Sequence, residues 1–595
     1  MRKSIATLLR WGSLHEVKST LLLTGVWVLL LYGYSITAGF ATYDDSVMVV
    51  GNPAAQSVSA SLQYFTKTVS FASDLRSSGD SFYRPLFWLS LGLDASVWGL
   101  NPVGFHVTDL VLHWLNGVVL FFILRRLRFS HALSLLTVVV WLGLPIHSEA
   151  VAWIAGRSYS LSTFFLLAAL LCGQRYLSTR SGLAFGGYLL GAVCALFSHE
   201  QGILLLPLLA LLAAVERAER SRGAVLLYSG ALGVDVFYLA VAHRVGASVV
   251  HHFGALSSMA LYWVKYIWWV LFPLHMSIER STDAPVAGWS LKAVAAFLAV
   301  GVVVGLVAFF VRSAPSVRLG LAWLFVCLLP FSGVVVIYQG MAERFAYLAS
   351  VGLALCLCSL CLSLAPNVRT VALAGLVVWA AWGAVRLQLR LSDWRDPARL
   401  YESSLKATPR SLKLHYNLGA FWEEDGRFGE ALNNYQDALQ IDSNYEPAIA
   451  GEGNAYLQLN QPEQARQMFE RALLLKRDDV KTINNYGLSL QRLGRVNDAK
   501  LQYLRAIGLA PTDDTAYCSL AVLFFRAGAS DVAEMLFKKA ILVNQTDPLP
   551  YSNLAEIYAK SGRVAMALPL YRKVLELDPG DSSALAALQS LSSAR

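Results

Sequence analysis

The chain has 595 residues, of which 56% are hydrophobic and 15% charged, and its mean hydropathy is +0.49. This composition excludes a single ordinary soluble domain and predicts a large membrane-embedded part in contact with the lipid bilayer. Up to residue 390 the chain carries 26 Lys and Arg against 15 Asp and Glu, and the remainder carries 23 against 25. Because the basic residues occupy short loops between apolar segments, we interpret them as cytoplasmic charges that orient membrane spans, and we predict no nucleic-acid partner.

Eleven apolar segments before residue 390 are predicted to span a membrane whose hydrocarbon core is about 30 Å thick. The first follows a basic N-terminus without a convincing small-residue cleavage site, so we interpret it as an uncleaved span. The aromatic-rich stretch 258–275 is predicted to lie in the membrane interface, because a span there would move Arg312 and Arg318 away from the face of the other basic loops. The predicted spans cover residues 20–39, 105–124, 131–147, 158–174, 183–198, 202–215, 224–242, 290–311, 319–338, 345–364 and 368–387.

This topology predicts a cytoplasmic N-terminus and an extracytoplasmic C-terminus, with most acidic residues of the membrane part on the outer face. The first outer connection, residues 40–104, is the longest and contains two amphipathic segments, 57–66 and 84–98, that could lie along the membrane surface. We therefore expect the active site and the C-terminal part outside the cytoplasm. That compartment is the periplasm in a bacterium and the lumen of the endoplasmic reticulum in a eukaryote.

A 34-residue repeat occupies the C-terminal part, where five units run from Leu412 to Asp581 without insertion. Small residues recur at two positions of each unit and an aromatic residue at a third, as in tetratricopeptide repeats (TPR), whose paired helices approach closely. Residues 393–409 are predicted to form the second helix of a preceding degenerate unit, and residues 582–595 are predicted to form a capping helix. The predicted fold is therefore all-α, with a multi-span membrane bundle over residues 1–390 and a TPR α-solenoid over residues 391–595.

Ionisable residues at the predicted outer boundary form the candidate site. Asp44 and Asp45 follow the first span and could bind a divalent cation, or one could act as a general base that the other orients. A solvated loop pair is the alternative. His147 and Glu149 could position a base or a sugar hydroxyl, and Arg157 could bind a phosphate, with mutual structural pairing as the alternative at this depth.

Further candidates recur at the same predicted depth. His199 and Glu200 lie in a hairpin between two short spans, where a solvated turn is the alternative. Arg84 and Arg344 each lie beside aromatic residues, an environment that suits the phosphate of a lipid headgroup. Ordinary snorkelling of an arginine to the interface is the alternative for both.

Taken in chain order, these motifs resemble the transmembrane and TPR-containing O-mannosyltransferases and their bacterial relatives. The resemblance covers nearly the whole chain and implies a C-type glycosyltransferase (GT-C) fold with its active site on the outer face. It also implies a polyprenyl-phosphate-linked sugar as donor and a protein acceptor engaged through the TPR array. The motifs are the Asp-Asp pair at 44–45, Tyr-Arg-Pro-Leu at 83–86, Gly-Phe-His at 104–106, His-Ser-Glu-Ala-Val-Ala-Trp-Ile-Ala-Gly-Arg at 147–157, His-Glu-Gln-Gly-Ile at 199–203 and Glu-Arg-Phe-Ala-Tyr at 343–347.

By this resemblance, Asp44 or Asp45 is the expected base that deprotonates an acceptor hydroxyl, and Arg344 is an expected phosphate ligand. The chain departs from the family at Tyr159, where relatives commonly carry an acid, and at His199, where they often carry lysine. These departures leave the identity of the donor sugar open. The predicted substrate-binding residues are Arg84, His106, His147, Glu149, Arg157, His199, Glu200, Glu343 and Arg344.

Two other functional classes compete with the transferase. In the first, the bundle only anchors a TPR scaffold that gathers envelope-assembly partners without catalysis. An anchor has no use for ionisable groups at the outer boundary of several spans, where they are energetically costly, so the acids and arginines favour the enzyme. A transporter is disfavoured because the sequence contains no apparent inverted repeat.

Overall fold

The computed structural model describes residues 14–41, 44–67, 69–70, 81–217, 221–247, 252–253, 258–280, 282, 290–310, 314–333, 335–336 and 340–593. The basic N-terminus, residues 71–80 of the first outer connection and Arg312 lie outside these ranges. The chain divides into two compact units, Met1–Leu414 and His415–Arg595. This division differs from the predicted boundary at residue 390, because residues 404–411 form hydrogen bonds with residues 277–279 of the membrane unit.

The first unit is built almost entirely of helices, joined by single turns and by two very short antiparallel strand pairs. The strand pairs are β1 (Val69–Ser70) with β2 (Ser81–Phe82), and β3 (His252–Phe253) with β4 (Val335–Val336). The longer helices are α1 (Leu14–Tyr32), α2 (Pro85–Trp98), α3 (Pro102–Arg126), α4 (His131–Leu142), α5 (Arg157–Thr179), α6 (Gly182–Ser198), α7 (Leu205–Val215), α8 (Arg222–Arg244), α9 (Met259–Leu271), α10 (Leu291–Phe310), α11 (Pro315–Leu328), α12 (Ala346–Ser363), α13 (Pro366–Asp393) and α14 (Pro397–Ala407).

Helices occur in all eleven predicted spans, but they are not all long enough to cross. Within the described ranges, six stretches have the length and hydropathy of a span, and the pair α4 and Pro145–Val151, bent by 56°, could be a seventh. Apolar helices of 10–17 residues fill the segments of α6, α7 and α11, so the predicted count of eleven spans is not confirmed. The six stretches are Glu16–Thr37, Pro102–Arg126, Ile154–Thr179, Arg222–Arg244, Glu343–Ser363 and Pro366–Asp393.

The two amphipathic segments of the first outer connection pack against one another. Residues 57–66 form the short turns Val58–Ser61 and Leu62–Phe65, and residues 85–98 form α2. A Cβ added at Gly92 of α2 would lie 2.7 Å from the carbonyl oxygen of Ser57, so glycine permits this close approach. The interfacial stretch contains α9, whose 13 residues are fewer than the roughly 20 that a span requires.

The second unit, with the last residues of the first, forms the repeat array. Five helix pairs follow one another and a final helix covers the end, as the repeat predicts. Positive φ angles at Gly426, Asn460, Gly494, Gly528 and Gly562 form the tight turn within each pair. The helices are α15 (Leu412–Glu424), α16 (Phe428–Ile441), α17 (Glu446–Gln458), α18 (Pro462–Leu475), α19 (Val480–Arg492), α20 (Val496–Leu509), α21 (Asp514–Arg526), α22 (Ser530–Val543), α23 (Pro548–Lys560), α24 (Val564–Leu577) and α25 (Ser582–Ser593).

The recurring small residue and the recurring aromatic residue are in direct contact. A Cβ added at Gly453 would lie 2.7 Å from the ring of Phe469, and one added at Gly487 would lie 2.7 Å from the ring of Tyr503. Both rings are fully buried. The buried ring of each of these repeats therefore requires a small residue at this position of the same repeat.

We predict that Gly487→Leu destabilises the repeat array by about 1–3 kcal/mol, because a larger side chain must displace the buried ring of Tyr503. Gly508→Leu is the matched control, since a Cβ at this exposed helical position meets open space. Thermal melting of the full chain, followed by circular dichroism, should show a lower midpoint only for Gly487→Leu. Equal midpoints for the two variants would contradict the packing role.

Candidate active site around Tyr159 and Arg344

Three interruptions of the helical bundle carry most of the predicted site residues. They are the turns over residues 145–156, 199–204 and 343–345, and all are largely buried in protein. Non-helical backbone at membrane depth is tolerated where it is buried in protein or lines a polar cavity. Gly156 allows the first turn to fold back, because a Cβ there would lie 2.1 Å from the carbonyl oxygen of Glu149.

Arg344 lies at the centre of the site and is 19% exposed. Its backbone N–H donates to Glu149 Oε2 at 2.8 Å, and its Nη1 lies 3.4 Å from the same oxygen. The guanidinium carbon lies 5.3 Å from the ring centre of Trp153 and 5.9 Å from that of Tyr159. Aromatic faces stabilise a cation at these distances while its N–H edges point elsewhere. The position of Arg344 is thus fixed by its neighbours, and its cationic side chain is partly exposed to solvent.

Tyr159 connects Arg344 with the second predicted arginine. Its ring centre lies 4.1 Å from that of His199, and both side chains lie within electrostatic range of Arg84 and Arg344. Arg84 is 15% exposed and pairs with Glu200, whose Oε2 lies 2.7 Å from its Nη2. The Nδ1 of His199 accepts a hydrogen bond from the N–H of Gln201, so this nitrogen carries no proton, and burial lowers the pKa of the ring. Two partly exposed cations therefore flank one tyrosine–histidine pair.

Glu343 has a different neighbourhood from Arg344 although the two residues are adjacent in sequence. Its Oε1 accepts from the N–H of Ser277 at 2.7 Å and from Arg280 Nη2 at 2.6 Å. Its Oε2 has no hydrogen-bond partner among the described residues, although the side chain is 1% exposed. Glu149 Oε1 is likewise buried without such a partner. The two carboxylates thus hold the turn of Arg344 and each keeps one acceptor oxygen available.

The two adjacent aspartates differ in environment. Asp45 is fully buried, and its two oxygens accept from the backbone N–H groups of Ala41 and Ala155, each at 2.9 Å. Burial raises the pKa of Asp45 to about 7, although both N–H donors and the charge of Arg157 act in the opposite direction. Asp44 is only half-buried. Asp45 therefore fixes the turn, and Asp44 is the more exposed of the two aspartates.

Three predicted residues lie in polar clusters of their own. Arg157 is fully buried, and its Nε and Nη1 lie 2.5 Å from Asp109 and 2.6 Å from Asp94. His106 Nε2 lies 3.4 Å from the carbonyl oxygen of Gly39, and His147 Nε2 lies 2.9 Å from the hydroxyl of Ser350. We interpret the Arg157 cluster as structural pairing, because both carboxylates are supplied by the chain. The partners are Asp94 and Asp109 and not His147 or Glu149, so the pairing differs from the mutual pairing within the motif that the sequence left as the alternative.

The structure also identifies neighbours that the sequence reasoning did not select. Arg280 follows the aromatic interfacial stretch and pairs with Glu343, and Trp153 lies within the 147–157 motif. Trp394 stacks on Trp153 with ring centres 6.3 Å apart, and Arg390 lies one turn earlier on α13. A charged residue in the last turn of an apolar helix was the available signal for Arg390.

Metal binding receives no geometric support in the part of the chain that the structure describes, where no group of three His, Cys, Asp or Glu side chains could hold an ion. The divalent cation at Asp44 and Asp45 stays a prediction.

Comparison with known proteins identifies the repeats and the relatives of this chain. Tetratricopeptide repeat family models match residues 423–483, residues 548–581, and both 383–446 and 486–550. The predicted TPR array is thereby confirmed. A thermophilic TPR protein of Thermus thermophilus is 21% identical and covers 30% of this chain and 98% of its own, with a TM-score of 0.29.

Three curated relatives match most of the chain and are all named protein O-mannosyl-transferases. F38B6.6 of Caenorhabditis elegans is 24% identical over 69% of this chain and 61% of its own length. Human TMTC1 is 24% identical over 71% of this chain and 55% of its own length. Mouse TMTC4 is 26% identical over 70% of this chain and 65% of its own length. The chain therefore spans 55–65% of the length of these relatives. Their names confirm the resemblance that the motifs predicted.

We predict that Arg157→Gln lowers the stability of the membrane unit by about 3–5 kcal/mol, because it leaves Asp94 and Asp109 buried without their cation. Arg344→Gln is the comparison, since its ion pair is longer, its guanidinium is partly exposed and Glu149 keeps the hydrogen bond from the backbone N–H of residue 344, so its loss should cost less than that of Arg157. Thermal unfolding of the full chain in detergent, followed by tryptophan fluorescence, separates the two. If Arg157→Gln melted like the wild type, the structural interpretation of this cluster would be wrong.

Proposed function

We propose that this chain is a membrane glycosyltransferase that transfers a mannosyl group from a polyprenyl-phosphate-linked donor to a hydroxyl of a protein acceptor. The names of the relatives support the reaction class and the sugar. The observation that carries the proposal is that one turn, residues 153–156, contacts both the aspartate pair and the proposed phosphate ligand, Arg344. Ala155 donates to Asp45 beside Asp44, and Trp153 lies against Arg344.

The reaction is a single displacement with inversion at the anomeric carbon. The acceptor hydroxyl oxygen attacks this carbon, the bond from the carbon to the phosphate oxygen breaks, and the hydroxyl proton passes to a carboxylate. Asp44 is the proposed base because it is only half-buried, whereas Asp45 is fully buried and accepts from two backbone donors. Asp45 acts by holding the turn, which keeps Asp44 in position.

The departing polyprenyl phosphate needs a cation at the position where its charge develops. Arg344 is the proposed phosphate ligand because its guanidinium is partly exposed and its position is fixed by Glu149 and by aromatic faces. Arg84 is the second partly exposed cation near Tyr159. A preorganised guanidinium stabilises the leaving phosphate without reorganising during the reaction.

The sugar is proposed to bind between these cations. Glu149 Oε1 and Glu343 Oε2 are buried acceptors without hydrogen-bond partners among the residues described, and sugar hydroxyls could donate to them. Tyr159 and His199 supply an aromatic and neutral polar surface where relatives of the family commonly carry an acid and often a lysine. A neutral surface at this position suits an uncharged hexose.

The TPR array is proposed to engage the acceptor protein, because stacked helix pairs present an extended surface for protein partners. The membrane-anchored scaffold is the competing function. A chain in which residues 1–390 are replaced by one unrelated span separates the two. Full function of that chimaera would support the scaffold, and complete loss of glycan transfer is the outcome that we expect.

We predict that Asp44→Asn lowers glycan transfer by about 100-fold or more, because the acceptor proton loses its carboxylate. The assay uses the full chain in vesicles with a polyprenyl-phosphate mannose donor. Asp44→Asn should leave the thermal midpoint near that of the wild type, whereas Asp45→Asn should lower it, since a carboxamide cannot accept from both Ala41 and Ala155. Asp437→Asn, at an exposed position of the TPR array, is the control for charge removal. Undiminished transfer by the Asp44→Asn, Asp45→Asn double variant would remove the proposed mechanism.

The proposed orientation places the site and the TPR array outside the cytoplasm. We predict that a cysteine introduced by Asp437→Cys reacts with a membrane-impermeant maleimide in sealed vesicles whose extracytoplasmic face points outward. The native Cys518 is buried and serves as an internal control for unfolding. Labelling that required permeabilised membranes would contradict the orientation.

A further inference from the structure

Arg390 is a buried cation that the proposed reaction does not use. It lies in the last turn of α13 and is 2% exposed. Its Nη1 donates to the hydroxyl of Ser403 at 3.1 Å and lies 3.5 Å from Asp393 Oδ2. Its Nε and Nη2 have no hydrogen-bond partner among the residues that the structure describes. A buried guanidinium with unused donors is energetically costly, so these donors imply a missing acceptor.

The other buried arginines do not share this property. Arg157 and Arg280 each have a carboxylate oxygen within 2.6 Å of the guanidinium. Arg390 has only the longer contact to Asp393. The chain therefore supplies close counter-ions to two of the three buried arginines in its described part, and it leaves one edge of the third open.

The open edge has the geometry that binds oxyanions. Nε and Nη2 form one edge of the planar guanidinium group, and one N–H bond of each points in the same direction. This fork matches two oxygens of a carboxylate or a phosphate. The adjoining indole also lacks an acceptor, since Trp394 Nε1 is buried without a hydrogen-bond partner among the described residues. The guanidinium carbon of Arg390 lies 5.6 Å from the centre of that ring.

Arg390 adjoins the candidate active site through two stacked rings. Trp394 stacks on Trp153 at an angle of 16°, and Trp153 lies against Arg344. The carboxylate of Glu149 lies within electrostatic range of both Arg344 and Arg390. An anion at Arg390 would therefore lie beside the proposed donor site, near the end of an apolar helix where lipid headgroups are at hand.

We propose that the Nε–Nη2 edge of Arg390, assisted by the indole N–H of Trp394, binds the phosphate group of a lipid. Two lipids could supply this group: the polyprenyl-phosphate donor, in which case the inference rests on the proposed function, or a phospholipid of the bilayer, in which case it does not. Both sources require the same bidentate contact.

The test measures lipid binding by the full chain with native mass spectrometry and with titration in detergent. The probes are a polyprenyl phosphate, phosphatidylglycerol and an unphosphorylated polyprenol. Arg390→Gln should weaken binding of at least one phosphate lipid by about tenfold or more and leave polyprenol binding unchanged. Arg390→Lys keeps the charge and loses the two parallel N–H donors, so its affinity for the phosphate lipid should lie between those of the wild type and of Arg390→Gln. Arg395→Gln removes an exposed arginine of the same segment and should change binding by less than about twofold.

The outcomes separate the two lipids. Weaker binding of polyprenyl phosphate alone assigns the site to the donor, and weaker binding of phosphatidylglycerol alone assigns it to a bilayer lipid. Unchanged binding of both by Arg390→Gln, or by Arg390→Lys if the first variant fails to fold, would overturn the proposal. Arg344→Gln is measured in parallel. A wild-type chain that bound no polyprenyl phosphate would contradict the proposed donor, while the phosphatidylglycerol titration would still test Arg390.

Discussion

Asp45 accepts hydrogen bonds from the backbone N–H groups of Ala41 and Ala155, which are more than one hundred residues apart in the chain. Ala41 lies in irregular backbone and Ala155 in a single 3₁₀ turn, and the buried N–H groups of both need acceptors away from water. One carboxylate thus ties the exit of the first helix to the turn that precedes α5. The position of Asp44 beside this turn, and the contact of the turn's Trp153 with Arg344, both depend on that tie.

Four arginines around the candidate site fall into two groups with different chemistry. Arg157 and Arg280 are buried and have close carboxylates, so their charge is used within the protein. Arg84 and Arg344 are partly exposed and also face aromatic rings, which orient a cation without occupying all of its N–H groups. A buried ion pair that is fully satisfied cannot serve as a ligand without being broken. Burial of the guanidinium therefore distinguishes scaffold from site more sharply than pairing does, since Arg84 also has a carboxylate oxygen, of Glu200, at 2.7 Å.

Much of this arrangement could be predicted from the sequence, because its signals are local or periodic. The 34-residue repeat predicts the helix pairs, since they follow from spacing, whereas the contact of Gly487 with Tyr503 within one repeat was found only in the structure. The predicted outer-boundary residues Arg84, His199 and Arg344 do lie around Tyr159. The pairing of Arg157 with Asp94 and Asp109 could not be predicted, because it depends on how α2, α3 and α5 pack. The lengths of the spans could not be predicted either, because hydropathy does not reveal where a buried polar turn ends a helix.

The turn of Arg344 and residues 404–411, which precede the repeat array, share one buried segment. Ser277 donates its N–H to Glu343 and exchanges a hydrogen bond with Thr408, and the next carboxylate, Glu279, accepts from Ser411 at 2.7 Å. All of these groups are buried, so none can exchange its partner for water without opening the segment. A displacement of residues 404–411 therefore strains the hydrogen bonds that hold Glu343. Because Glu343 precedes Arg344 in the same short turn, residues 404–411 and the proposed phosphate ligand are connected by hydrogen bonds within the first unit.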